Sequence, residues 1–162
     1  MTAVVRGALL LLLLAVPAWA QNQVPAPKPL EALVKATLMT LNDANLTGDY
    51  RVFHARLSGP FRQQFTPDRL KQSFREFNEK NVDIDIVCAR SPVCGQPPFV
   101  DPQGKLVLRG LFPTDPTRVS FEMDFVAWDG DWKLISITVR VAPSADGPPV
   151  PERPPSERGK KS

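Results

Sequence analysis

Histidine and tyrosine occur once each, as His54 and Tyr50, and cysteine only twice, as Cys88 and Cys94, in a chain of 162 residues. One imidazole and two thiols cannot supply the four nitrogen and sulfur ligands of a structural zinc site. The glycines follow neither G-x-G-x-x-G nor P-loop spacing, and there is no G-x-S-x-G elbow. The signatures of dinucleotide binding, phosphate cradling and serine-hydrolase chemistry are therefore missing. A strong charge of one sign is missing too: 20 Lys and Arg stand against 17 Asp and Glu. Arg153, Arg158, Lys160 and Lys161, at the C-terminal end, carry much of the basic surplus. That pattern is a solvated end and not the clustered basic face of a nucleic-acid binder, so no nucleic-acid partner is expected. No cofactor and no metal are expected either.

Long apolar runs are confined to the start. MTAVVRGALLLLLLAVPAWA has one basic residue, Arg6, an apolar run from Ala8 to Val16, and Ala18-Trp-Ala20 as a small-residue cleavage pattern. This is the layout of a secretory signal peptide over 1–20, with a mature chain starting near Gln21. The run is about half of the roughly 20 residues a spanning helix needs, so no transmembrane segment is expected once the signal is removed. The expected location is outside the cytoplasm, periplasmic or extracellular. There, the even pair Cys88 and Cys94 in CARSPVC is expected to form a disulfide, because the compartment oxidises thiols.

What the chain has in plenty is proline, 18 residues, concentrated at its two ends. Residues 21–29 read as a Pro-rich linker and 142–162 as a disordered, Pro-rich basic tail, since neither holds enough apolar surface to offset ordering. One domain remains, over 30–141. Its first half has helical periodicity: Leu33, Val34, Leu38 and Leu41 keep to one stripe, and Gly48 is a natural stop. Asp49 can cap a second helix in YRVFHARLS. Thr66-Pro67-Asp68 starts a third, with Leu70, Phe74 and Phe77 on its buried side.

The second half alternates as strands do: VDIDIVC, Lys105–Phe112, RVSFEMDFVAW and WKLISITVRV. The last two flank Asp129-Gly130-Asp131. Pairing odd positions with odd gathers Val119, Phe121, Met123 and Phe125 on one face with Ile135, Ile137, Val139 and Val141. A two-residue turn alone would mix the faces, so burial selects a three-residue corner or an equivalent bulge. In the three-residue arrangement Trp128 and Trp132 stack across the hairpin on the polar face.

Three helices before a four-stranded antiparallel sheet, with a WDGDWKLI hairpin and a long last strand, resemble the nuclear transport factor 2-like (cystatin-like cone) superfamily. FHARLSGPFRQQFTPDRL is similar to the helical segment of its small exported bacterial members. The resemblance covers about Leu30 to Val141 and implies an α+β fold, N-terminal helices packed on a curved four-stranded antiparallel sheet. It does not fix an activity, because one fold hosts many. Enzymes of the superfamily place an acid or base inside the cone, whereas the inward positions here are all apolar. The expectation is a non-catalytic module that holds an apolar small molecule or a protein partner. The ligand pocket is expected at Tyr50, His54, Phe121, Met123 and Phe125. An apolar patch of Val126, Trp128, Trp132 and Leu134 on the outer face is the expected contact for a homodimer or an envelope partner. Asp83, Asp85, Glu122 and Asp124 read as the wet side of the sheet. Two alternatives stay open, an isomerase or dehydratase acting on a small molecule in the cone and an accessory protein of envelope assembly.

Overall fold

The structure, a computed structural model, describes residues 23–144. The expected signal peptide, 1–20, and most of the expected tail, from 145 onward, lie outside the described residues; Ala142 and Pro143, expected to begin that tail, instead end the last strand. Helix α1 spans Pro27–Thr47, so it begins inside the stretch expected to be linker. Proline suits this start because the first helical N–H groups have no partner in any case. Leu30 N makes the first full turn by donating to Ala26 O at 3.0 Å. Gly48 ends the helix, its N–H donating to Ala44 O at 2.9 Å. Val34, Leu38 and Leu41 are buried along the expected stripe.

Four short helices follow: α2 (Arg51–Ala55), α3 (Gly59–Gln64), α4 (Pro67–Ser73) and α5 (Arg75–Glu79). Thr66 caps α4, its hydroxyl accepting from Arg69 N at 3.3 Å. The expected third helix is thus present but broken at Phe74, whose ring packs on Tyr50, Phe53 and Phe77. Asp49 accepts from Arg51 N at 3.0 Å and from the Arg51 guanidinium at 2.6 Å. The guanidinium lowers the Asp49 carboxyl from its ordinary 3.8 to about 2. A lowered acid stabilises the fold fully above 3.8, and that contribution is lost as the pH falls through about 2. The effect on stability is small because both groups are solvated. A carboxyl-detected titration is expected to give Asp49 a midpoint near 2, whereas 3.8 would mean the pair does not form.

VDIDIVC is not a strand, which corrects the expectation. Asp85–Ala89 form a 3-10 turn. Asn42 of α1 explains the change: its side chain accepts from Ile84 N at 3.0 Å and donates to Asp83 Oδ1 at 2.7 Å. Ile84 and Val87, three residues apart, are buried, while Ile86 is exposed.

The sheet has five antiparallel strands: β1 (Val93–Cys94), β2 (Phe99–Val100), β3 (Lys105–Phe112), β4 (Thr117–Trp128) and β5 (Asp131–Pro143). Their order is β1-β3-β4-β5, with β2 also pairing with β3, and the sheet is not closed into a barrel. The α+β class and helices preceding the antiparallel sheet are therefore present.

The hairpin resolves the parity problem by the bulge. Asp129 and Gly130 form a two-residue turn with φ of 52° and 82°, the positive values an Asp-Gly hairpin turn adopts. Phe125 then pairs with Leu134, but Asp124 pairs with Ser136, leaving Ile135 as the extra residue. Beyond the bulge Met123 meets Ile137, Phe121 meets Val139 and Val119 meets Val141, as burial required. Phe125 does not meet Ile135, which corrects that one pair.

Candidate functional site

The inner face of the sheet is apolar throughout. Leu106, Leu108 and Phe112 of β3, Val119, Phe121, Met123 and Phe125 of β4, and Leu134 and Val139 of β5 all belong to one buried cluster with Leu38, Leu41, Tyr50 and Phe53. The expected pocket residues are distributed unequally over it. Met123 and Phe125 are core. Tyr50 is 1% exposed, and its hydroxyl donates to Asn45 Oδ1. Burial pushes that phenol up to about 12, so it stays protonated and serves as a core hydrogen-bond donor. His54 lies on α2 with Nε2 3.1 Å from Arg62 O, which ties α2 to α3. The five residues do not converge on one cavity.

Phe121 is the exception. With Leu108 it forms the floor of an apolar groove of about 320 Å³ where α1 leaves the sheet. Leu30 and Val34 of α1 supply one wall, Cys94 another, and prolines the rim. Glu31, the one charged residue lining it among the described residues, is engaged by Lys35 at 2.8 Å and by the Ser91 hydroxyl at 3.1 Å. These contacts hold its carboxyl below the ordinary range. Cys94 and Cys88 are both free thiols, so the expected disulfide is not formed in this structure. Desolvation pushes the Cys94 thiol up.

The outer face is a charge network. Arg109 reaches Asp124 at 2.8 Å and Glu122 at 3.2 Å, and Arg140 reaches the other oxygen of Glu122 at 3.2 Å. Asp83 and Asp85 lie away from it, in the segment held by Asn42. Among the described residues no group of three or more His, Cys, Asp or Glu is placed to hold a metal ion. Nor is any helix among them long and apolar enough to cross a membrane.

The four residues of the expected partner patch are not assembled. The bulge places Leu134 opposite Phe125, in the core. Trp132 pairs with Ala127 while Trp128 pairs with Asp131, so the two indoles lie on opposite faces of the hairpin and do not stack. Trp132 packs toward the core, while Trp128 packs over Gly59 so closely that a Cβ there would sit 2.9 Å from the ring.

A second groove, of about 520 Å³, therefore forms between α3 and the hairpin. The segment preceding α3 is fastened to the edge strand at the bulge: Ser58 N donates to Leu134 O at 3.0 Å, and Leu134 N to Arg56 O at 3.4 Å. Ser58 and Ile135 both line this groove. The Ser58 hydroxyl is buried and has no hydrogen-bond partner among the described residues. Replacing Ser58 by Ala should therefore leave stability unchanged or raise it by up to about 1 kcal/mol. Urea unfolding checks this; a loss above about 1 kcal/mol would show that the hydroxyl is already paired. Neither groove was legible in the sequence as a unit, since each joins the helical half to the sheet.

No family model matches the chain, and no curated protein or solved structure matches it.

Proposed function

We propose that the chain is an exported, non-catalytic binding module of the nuclear transport factor 2-like cone type, holding an apolar small molecule in the groove over Phe121 and Leu108. The observation that carries the reading is the chemistry of that groove. It is where the apolar inner face meets a cavity, and the carboxylate lining it is already engaged. Its volume of about 320 Å³ lies at the small end of ligand pockets. Catalysis needs a titratable group free to reach a substrate. Tyr50 and His54 are each committed to a hydrogen bond within the helical layer. The cone assignment is supported by helices on one face, the long last hairpin and the bulge that bends it. Export is supported by the leader-like N-terminus, and in an oxidising compartment Cys88 and Cys94 would pair; peptide mapping of protein isolated from that compartment tests the pairing.

The binding reading is tested with the neutral apolar probe N-phenyl-1-naphthylamine, on protein with its thiols reduced. Saturable fluorescence enhancement is expected, with Cys94 protected from maleimide while Cys88 stays reactive. Absence of saturable binding, or binding that leaves Cys94 equally reactive, would overturn it.

A further inference from the structure

We infer that the groove between α3 and the hairpin is a second ligand site, for a neutral, flat aromatic molecule bearing one hydrogen-bond acceptor such as a carbonyl. This inference is independent of the groove over Phe121, which shares no lining residue with it.

Ser58 precedes α3 as Thr66 precedes α4, and both have extended backbone with proline within the next two positions. Thr66 uses its hydroxyl to cap its helix; Ser58 does not. Ser58 is 1% exposed, and its Oγ has neither a partner among the described residues nor contact with solvent. A buried hydroxyl without a partner is costly, and a hydroxyl can donate one hydrogen bond. A ligand acceptor in the groove that Ser58 lines would remove that cost once the side chain turns its hydroxyl from its buried position toward the groove.

The walls define the rest of the ligand. Phe61 and Trp128 supply aromatic surface, and Val126 and Ile135 supply aliphatic surface. The indole of Trp128 is 40% exposed although it already rests on Gly59. Gln64 and Gln103 add neutral amides, and among the described residues no charged one lines the groove. An ionic ligand would find no countercharge there, whereas a flat neutral ring can pack against the indole. The tight turn with its bulge builds the site: in a three-residue corner Ile135 would fall on the core face opposite Phe125, and Leu134 would not take the inner position from which it meets the segment that carries Ser58.

The probe is Prodan, a neutral naphthalene with one ketone, set against 2-dimethylaminonaphthalene, which lacks the ketone. Energy transfer from tryptophan reports proximity, and Trp132→Phe isolates Trp128 as the donor within the domain. Prodan is expected to bind saturably with transfer retained in Trp132→Phe, and its affinity, read by exciting Prodan directly, should fall at least about tenfold in Trp128→Ala. Ser58→Ala should weaken Prodan by roughly fivefold to tenfold, the range for one lost hydrogen bond, and leave the ketone-free analogue unchanged. Circular dichroism of each variant verifies folding. Absence of saturable binding, absence of transfer in Trp132→Phe, unchanged Prodan affinity in Trp128→Ala, or equal losses for both probes in Ser58→Ala would overturn the proposal. Loss of N-phenyl-1-naphthylamine binding at the Cys94 groove would bear on the proposed function alone.

Discussion

Replacing Phe125 by Ala is expected to lower the unfolding free energy by about 3–5 kcal/mol, the range for deleting a buried phenyl ring from a close-packed core. Phe125 is 1% exposed and stands between Leu106 on one neighbouring strand and Leu134 on the other. Single domains have only about 5–15 kcal/mol in total, so the variant would be near the limit of folding. The size of the loss separates two pictures of the interior. In a filled core the ring has neighbours on all sides and its removal leaves a void. As the wall of an open ligand cavity it would lack contacts on one side, and its loss would cost about 1 kcal/mol. Urea midpoints with an unchanged slope measure the difference. Trp128→Ala is the internal reference, with an expected loss within about 1 kcal/mol because that side chain is partly exposed.

Asn42→Ala is expected to cost about 2–4 kcal/mol, from one unsatisfied buried N–H and one lost hydrogen bond to a carboxylate. Asn42 is 2% exposed and holds Ile84 N and Asp83 Oδ1 at once, so its amide fixes where the chain leaves α5 and reaches the sheet. Asn42→Asp keeps the acceptor for Ile84 N but sets a carboxylate against Asp83. It should not restore stability at neutral pH. A loss below about 0.5 kcal/mol for Asn42→Ala, or full recovery with Asp, would mean that the pairing does not organise this segment.

These two positions also show what could be read from the chain and what could not. Phe125 belongs to the alternating run from Val119, and a two-residue period in a long segment points one face inward whatever its neighbours are. That made the inner face legible, and with it the antiparallel pairing of β4 and β5. The segment after Val82 alternates just as well, yet the N–H of Ile84 is satisfied by the side chain of Asn42, 42 residues earlier in sequence. Local pattern has no means of reporting a distant amide. The hairpin corner was legible as a choice between a longer loop and a bulge. The Asp-Gly pair, which favours the tight turn, decides for the bulge. The site residues suffered most, because the single residue of offset at Ile135 separates Trp128 from Trp132 and sends Leu134 indoors. His54 and Tyr50 stood out through their rarity, but rarity does not indicate direction, and both turn toward backbone or core partners. Ser58 gave no signal at all; its interest lies in a missing partner, which only coordinates reveal.

The placement of Ile135 tests the account most directly, because the filled interior and the hairpin groove both depend on it. Nuclear Overhauser contacts of its methyl groups in the isotope-labelled protein provide the measurement. Contacts to Val126 and Trp128, together with Phe125 opposite Leu134 and Asp124 opposite Ser136, are the predicted result. Contacts from Ile135 to Met123 or Leu106, with Phe125 opposite Ile135, would contradict it.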